Sequence, residues 1–291
     1  MFAEAILKAA QYTLPVIFSK RYWSGAVEAG LAAFMVINEA GWILTSWHLM
    51  ADFVIFDQHT QEMRAYQSQV TQIRSSGQLT EREKERQIKR LRAEPGWITN
   101  LSYFWGQSGV PTPRTFFRDE LADIALLKLE GLDTSQIRDY PVFKNPATGL
   151  PVGTLLCRLG FPFHAVKTDF DPATGNFNVA PSVLPAPFFP LEGMHTRVAQ
   201  VVDTSTGRQA KFVETSSPGL GGQSGGPIFD SEGNVWAMQS RTMHFPLGFS
   251  PKVKEANREV VEHQFLNVGL GAHVEEIIRI LRANRVSFRM S

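Results

Sequence analysis

The sequence predicts a mainly β protein, a barrel or a sandwich, with a helix at each end and one helical insertion. Short apolar runs separated by turn residues support the β class; examples are "GLAAFMVINEAGWILTS", "DIALLKL" and "GTLLCRLGFP". Residues 61–94 interrupt these runs with a stretch of strong helix formers. Many short strands joined by glycine-containing turns are typical of barrels and of sandwiches, so both architectures stay open at this point.

Helices are predicted near the two ends of the chain, and hairpins between them. Residues from about Ala3 to Tyr12 place apolar side chains on one side, and "HVEEIIRILRANR" predicts a closing helix after a last strand. Asn38 to Gly41 predict the turn of one hairpin, and "IFDSEGNVWAMQS" predicts another. The prolines and aromatic residues of 164–195 predict ordered surface loops rather than strands.

The insertion, Gln61 to Glu94, predicts an antiparallel helical hairpin. Thr80 and Glu83 have the spacing of a capping box, and Gly77 separates two helix-forming stretches. Charge-rich helices are usually exposed faces and nothing more. Two interpretations therefore stay open: a solvated hairpin without a partner, and a docking or gating element for a regulatory protein.

Length, charge and cysteine content exclude several classes of protein. The 291 residues suit one large domain or two small ones, and a formal net charge of +1 argues against dominant binding to nucleic acid or to an anionic membrane. The single cysteine, Cys157, excludes an intrachain disulfide and fits a reducing compartment. Without a secretory signal or a long apolar segment, we expect a cytoplasmic protein; the histidine spacing predicts no metal site, and we expect no cofactor.

The densest glycine cluster is "GLGGQSGGP", which runs from Gly219 to Pro227. It lacks the lysine of a P-loop, and Ser224 stands where a dinucleotide fingerprint has its third glycine. The pattern GxSxG fits instead, with Ser224 as a nucleophile. An α/β-hydrolase elbow requires a helix directly after the serine, and Gly225, Gly226 and Pro227 disfavour one.

Two titratable residues upstream lie in apolar surroundings. His48 follows the strand-like "GWILTS", and Asp123 directly precedes "IALLKL". Such a residue is costly to bury unless it is paired. A serine among glycines is, taken singly, more often a turn residue, and a lone histidine or aspartate at a strand end is usually structural. The three residues in the order His, Asp, Ser predict a catalytic triad.

This arrangement resembles the chymotrypsin-like (trypsin-like) serine peptidases, and among them the bacterial HtrA-type peptidases. The matching motifs are "ILTSWH", "DIALLKL" and "GQSGGPI", and the resemblance extends over roughly residues 14–284. It implies a double six-stranded β-barrel, with an N-terminal half over residues 1–145 and a C-terminal half over residues 146–291. No PDZ-like segment follows the peptidase region in this sequence, so peptide tethering of the HtrA kind is not implied.

The resemblance also implies the activity, a serine endopeptidase that acts on proteins or peptides through an acyl-enzyme. Ser224 would be the nucleophile, His48 the general base and Asp123 the acceptor that orients the imidazole. The amides of Gly222 and Ser224 would form the oxyanion hole. Trp47 departs from the family pattern, which has a small residue there, so a pseudo-peptidase that only binds is the alternative.

The same resemblance implies a substrate pocket, with its floor at Pro218 and its wall on one strand. The wall residues are Met238, Gln239, Ser240, Arg241 and Thr242. The floor position holds no acidic residue, so we expect a small or medium apolar P1 residue, although Arg241 could favour an acidic or polar group. A latent enzyme is also possible, with the hairpin or the segment from Met243 to Gln264 covering the cleft.

Overall fold

The computed structural model describes residues 2–106, 111–255 and 258–291. Within these ranges the chain forms four α-helices and eighteen strands. The helices are α1 (Ala3–Tyr12), α2 (Trp47–Ser75), α3 (Glu81–Arg90) and α4 (Val274–Ala283). The first nine strands are β1 (Thr13–Tyr22), β2 (Val27–Val36), β3 (Trp42–Ser46), β4 (Ile98–Phe104), β5 (Thr112–Asp119), β6 (Ile124–Glu130), β7 (Val142–Phe143), β8 (Leu155–Arg158) and β9 (Thr168–Asp171). The others are β10 (Asn176–Val179), β11 (Leu191–Val202), β12 (Gln209–Thr215), β13 (Pro227–Phe229), β14 (Asn234–Pro246), β15 (Lys252–Glu255), β16 (Arg258–Val261), β17 (Phe265–His273) and β18 (Arg289–Met290).

The first six strands form one antiparallel sheet in the order β4-β1-β2-β3-β6-β5. Its inner strands, β2, β3 and β6, are buried over most of their length, as the continuous apolar runs of the sequence predict. In the second sheet, which has the order β13-β8-β11-β12-β17-β14-β7-β18, β13 also pairs with β14. That pairing closes six strands into a ring, so the mainly β prediction and the double-barrel prediction are confirmed.

Helices at both ends close the structure, as the sequence predicts. Helix α1 buries Ala5, Ala9 and Tyr12, and Phe2 packs edge-on against Phe229 in the second sheet. Helix α4 buries one face among the core residues. Side chains from both sheets contribute to one large apolar core, and the halves at residues 1–145 and 146–291 stay a prediction of the domain boundary.

The helical insertion begins earlier than expected. Helix α2 starts at Trp47, directly after β3, rather than near Gln61. Its first half packs on the first sheet: the rings of Phe53 and Tyr103 are stacked at 4.5 Å, and Tyr103 Oη donates to Leu49 O. The first half of α2 is apolar because it faces a sheet, and in the sequence it resembles a strand. The charge-rich stretch therefore predicted only the exposed part of the hairpin.

Two other segments are more regular than expected. Strands β9 and β10 form a small hairpin and β11 begins at Leu191, where the sequence predicted surface loops. In the segment from Met243 to Gln264, β14 continues to Pro246 and β15 pairs with β16; residues 256–257 lie outside the described residues. None of the helices in the described ranges is long and apolar enough to cross a membrane.

A buried acidic side chain links the two sheets. Asp119, at the end of β5, accepts hydrogen bonds from Arg208 and from Arg279 of α4. Both arginines also lie within ion-pair distance of Glu276, at 3.7 Å and 3.0 Å. Burial by itself would raise the pKa of Asp119, but the hydrogen bonds from Arg208, Ala122 and Arg279 hold it below its ordinary value.

Candidate active site

The start of α2 brings His48 to Asp123. The backbone N–H of His48 donates to Asp123 Oδ1 at 2.8 Å, and His48 Nδ1 lies 2.9 Å from Asp123 Oδ2. The backbone N–H of Trp47 donates to the carbonyl of Asp123 at 3.1 Å. The first N–H groups of a helix have no partner inside the helix. Asp123 supplies two of those partners and so fixes where the helix begins and how the imidazole points.

Asp123 is held in an unusual backbone conformation. Its φ is +56°, in the left-handed region, which aspartate tolerates better than most residues. Asp119 Oδ1 accepts from Ala122 N at 3.1 Å in the turn just before it. The side chain of Asp123 is 5% exposed, whereas that of His48 is 47% exposed. The carboxylate is therefore buried beneath an imidazole that solvent and substrate can reach.

The charge on Asp123 is stabilised by its neighbours. Burial by itself would raise the pKa of the Asp123 carboxyl. The hydrogen bond and attraction of His48, together with a hydrogen bond donated by Ser240 Oγ, outweigh burial and hold the pKa below its ordinary value. The positive end of the α2 macrodipole favours an anion at the same place. Asp123 is ionised at neutral pH and can stabilise a positive charge on His48.

Ser224 lies in the loop between β12 and β13 and is joined to both sheets. Its Oγ donates to Ser240 O at 3.4 Å, and its own carbonyl accepts from Ala33 N of β2 at 2.9 Å. The next residue, Gly225, has φ +85°, and a Cβ there would be 2.1 Å from Ala33 O. Only glycine lets the loop approach β2 this closely.

The amides of Gly222 and Ser224 are available to a ligand. Within the described part of the chain, neither N–H donates a hydrogen bond to another protein group. Gly222 has φ +94°, and a Cβ there would be 2.4 Å from Phe161 O. Phe161 N donates to Gly222 O at 2.9 Å, and Gln223 N donates to Leu220 O at 3.0 Å. These bonds hold the loop in shape and do not involve the N–H groups of Gly222 and Ser224.

Trp47 does not displace the imidazole. Its ring stacks on Phe116 at 5.7 Å between centroids, and the guanidinium of Arg118 lies 4.8 Å from its centroid. The bulky side chain thus packs over β5. His48 keeps its contact with Asp123, so the departure from the family pattern at this position leaves the geometry of the pair intact.

The expected pocket residues do not share one environment. Met238 is fully buried in the apolar core, whereas Gln239 turns to the other side of β14, where its Nε2 donates to Arg241 O at 3.1 Å. Arg241 is exposed, and its guanidinium lies over the Phe212 ring. Pro218 is half-buried. Of the wall residues, Gln239 and Ser240 therefore lie towards the candidate site, and Met238 does not.

Sequence reasoning gave one residue of this region a different role and missed another as a functional candidate. Ser240 was assigned to the pocket wall, yet its hydroxyl donates to Asp123 and its carbonyl accepts from Ser224. Arg158, at the end of β8, is 1% exposed and donates to Gln239 Oε1 at 2.8 Å. A lone arginine within the apolar stretch "LLCRLG" was the signal for it. Among the described residues, no group of three or more His, Cys, Asp or Glu side chains could hold a metal ion.

The fold and the arrangement of His48, Asp123 and Ser224 in chain order are typical of the trypsin-like peptidases. The family profile described as trypsin-like peptidase domain matches residues 33–238, and the chain belongs to that family. No curated protein matches the chain in sequence.

Similar solved structures are HtrA-type proteases. A serine-to-alanine variant of the HtrA-type protease AlgW, solved with a decapeptide, is 11% identical with a TM-score of 0.51, over 97% of this chain and 66% of that chain. AlgW with a tripeptide is 12% identical with a TM-score of 0.49, over 97% of this chain and 63% of that chain. The chain thus spans slightly less than two thirds of the length of these proteins. The chymotrypsin-like fold predicted from the motifs is confirmed.

Proposed function

We propose that the chain is a serine endopeptidase that hydrolyses peptide bonds through an acyl-enzyme. Ser224 is the nucleophile, His48 the general base and Asp123 the residue that orients the imidazole. The observation that carries the proposal is a pair of hydrogen bonds between His48 and the buried Asp123 carboxylate. His48 Nδ1 lies 2.9 Å from Asp123 Oδ2, and the backbone N–H of His48 donates to Asp123 Oδ1 at 2.8 Å. The bond at Nδ1 favours the His48 tautomer with its proton on Nδ1 and leaves Nε2 available as a base.

In the proposed reaction Ser224 Oγ attacks the substrate carbonyl while His48 Nε2 takes the hydroxyl proton. The N–H groups of Gly222 and Ser224 donate to the oxyanion; one such donor stabilises the transition state by about 3 to 4 kcal/mol. His48 then gives its proton to the leaving amine, and the acyl-enzyme forms. A water molecule repeats the sequence, with His48 again as base, and releases the acid.

The hydrogen bond that the Ser224 hydroxyl makes supports a resting or latent form of this enzyme. It donates to Ser240 O at 3.4 Å and not to His48, so it must rotate towards the imidazole before it reacts. The same contact is the argument for the alternative, a catalytically silent pseudo-peptidase that only binds. The packing of Trp47 over Phe116 argues against that alternative, because the histidine keeps its place.

The exposed part of the helical hairpin is proposed as the docking site of a regulatory protein. Helix α3 buries no side chain, and its ten residues "EREKERQIKR" are mostly charged. The base of the hairpin is anchored separately: Trp97 Nε1 donates to Glu62 Oε2 at 2.7 Å, and Tyr66 packs edge-on against Trp97. Deletion of residues 68–92 therefore spares the anchor, and unchanged activity and unchanged partner binding would remove the hairpin from the scheme.

Covalent labelling by a fluorophosphonate tests the proposed activity. We expect the wild-type protein to be labelled, Ser224→Ala to lose the label and His48→Ala to be labelled far more slowly. Ser231→Ala, in the exposed turn after β13, is the matched control and keeps the label. Labelling that persists in Ser224→Ala would contradict the proposal. A folded protein that is never labelled but still captures a specific partner would favour the pseudo-peptidase.

A further inference from the structure

A fully buried arginine lies beside the candidate site. Arg158 Nη1 donates to Gln239 Oε1 at 2.8 Å, and Nη2 donates to the backbone and hydroxyl oxygens of Ser217 at 3.0 Å and 3.2 Å. Nη2 also donates to Thr215 Oγ1. A Cβ on Gly269 would lie 2.2 Å from Nη1, so the guanidinium rests directly on the backbone of β17. Every one of these acceptors is uncharged.

The charge of Arg158 has no carboxylate to balance it. Among the described residues, no Asp or Glu oxygen lies within ion-pair distance of its guanidinium, although Asp119, Asp123 and Glu214 are all buried and paired elsewhere. Burial lowers the pKa of Arg158 to about 10, so the group remains positively charged at neutral pH. A buried charge without a counter-ion costs free energy, and a carboxylate bound beside the guanidinium would offset that cost.

The surroundings of Arg158 are the expected pocket of the peptidase. Ser217 precedes the expected floor residue, Pro218, and Gln239 belongs to the expected wall. Gln239 precedes Ser240, whose carbonyl accepts from Ser224 Oγ. Gln239 therefore connects the guanidinium, through its side chain, to the strand residue next to it that contacts the nucleophile. Arg158 thus hydrogen-bonds to the residue before the expected floor and to a residue of the expected wall.

We propose that Arg158 makes this peptidase selective for an acidic P1 residue, with the substrate carboxylate as the missing counter-ion. The carboxylate takes the place of Gln239 Oε1 at the guanidinium, and Gln239 Nε2 turns from Arg241 O to the substrate. Arginine suits this role because its fixed N–H donors match a carboxylate. The inference rests on the proposed function and replaces the apolar P1 residue expected from the sequence.

The test compares peptides that differ only at P1, with Glu against Gln, Asp against Asn, and Leu as the apolar reference. For the wild-type protein we expect kcat/KM to be about 10-fold to 100-fold higher for Glu than for Gln, the effect of one hydrogen bond to a charged group. Arg158→Met should bring that ratio close to one, and Arg158→Lys should lower it in part. A wild-type ratio of one or less, or a preference for Leu over Glu, overturns the inference.

A second variant keeps the inference testable if Arg158→Met does not fold. Arg241→Met removes the other cation of this region, which is exposed and packs over Phe212. Retention of the Glu preference in Arg241→Met supports Arg158 as its source, and loss of the preference overturns it. An unchanged preference in a folded Arg158→Met protein overturns it as well.

The outcome is separable from that of the proposed function. Fluorophosphonate labelling of Ser224 decides the function, whichever P1 residue is preferred. Binding of the same peptides to Ser224→Ala, followed by fluorescence anisotropy, decides the pocket even if no peptide is cleaved. Tighter binding of the Glu peptide than of the Gln peptide supports the inference, and equal binding contradicts it.

Discussion

Asp123 contacts His48 through both of its carboxylate oxygens, one on the backbone N–H and the other on the imidazole. One residue therefore sets the start of a 29-residue helix and the orientation of the base at the same time. The backbone bond aligns the helix, and the side-chain bond aligns the ring. Loss of the carboxylate charge should affect the second role more than the first.

We predict that Asp123→Asn leaves the protein folded and lowers kcat by about 10³- to 10⁴-fold. Asparagine tolerates the positive φ of this position, so the backbone survives, but its amide does not hold the required tautomer of His48. The measurements are kcat, from rates at saturating peptide substrate, and a thermal melt. Asp52→Asn is the matched control, because Asp52 lies on the same helix and pairs with Lys20 at 3.2 Å. A comparable loss of activity in Asp52→Asn would show that the effect comes from the helix and not from the orientation of His48.

We predict that Gly222→Ala destabilises the loop and lowers activity by at least about 10²-fold, because it displaces an oxyanion donor. The positive φ and the contact with Phe161 O together cost about 1 to 3 kcal/mol of unfolding free energy. Gly221→Ala is the neighbouring control, since an added Cβ there meets no atom within 4 Å. Denaturant unfolding and kcat/KM on both variants check the prediction, and equal effects would refute it.

We predict that Asp119→Asn lowers the unfolding free energy by about 1 to 3 kcal/mol at pH 7. The value stays modest because Arg208 and Arg279 are 38% and 48% exposed and are screened by solvent. The pKa of Asp119 is lowered in the folded protein, so its stabilisation is present above the unfolded pKa and is lost as the pH falls through the folded pKa.

The difference between wild type and Asp119→Asn should therefore shrink below about pH 4. Denaturant unfolding at a series of pH values measures it. Glu130→Gln serves as the control, because its ion pair with Arg114 is exposed on both sides and should contribute less than about 1 kcal/mol. A difference that is constant from pH 7 to pH 3 would show that charge is not the cause.

We predict that Thr80→Ala loosens α3 by about 1 kcal/mol and leaves activity unchanged. Glu83 N donates to Thr80 Oγ1, and Thr80 N donates to Glu83 Oε2, so the substitution removes half of a capping box. Amide hydrogen exchange in α3 measures the effect. Thr71→Ala, near the C-terminal end of α2, is the control and should not speed exchange in α3. A fall in activity would show that the tip of the hairpin is coupled to the site.

Most of the fold could be predicted from local signals in the sequence. The capping box at Thr80, the turn before Trp42 and the apolar face of α4 depend on neighbours only a few residues away, and each forms as expected. The start of α2 does not depend on such neighbours. Its first turns are stabilised by packing on β4 and by Asp123, which lies 75 residues further along the chain.

In the site, too, features that depend on near neighbours could be predicted, and features that depend on distant contacts could not. The order of His48, Asp123 and Ser224 was readable from motifs, because each motif is local and their order in the chain is characteristic. The orientation of Met238 into the core and of Gln239 away from it depends on the exact register of β14 on β17, since neighbouring side chains of a strand face opposite ways. The apolar stretch around Arg158 was only a weak signal for a buried cation, because one arginine at a strand end is usually exposed.

The bond from Ala33 N to Ser224 O has a consequence for how the protein loses its site. The loop that carries the serine is covalently part of the second sheet, yet its carbonyl completes the hydrogen bonding of β2 in the first. A small separation of the two sheets would break this bond and move Ser224 away from β2 while both sheets stayed folded. The proposed triad thus depends on the contact between the sheets, and its geometry can be lost before either sheet unfolds.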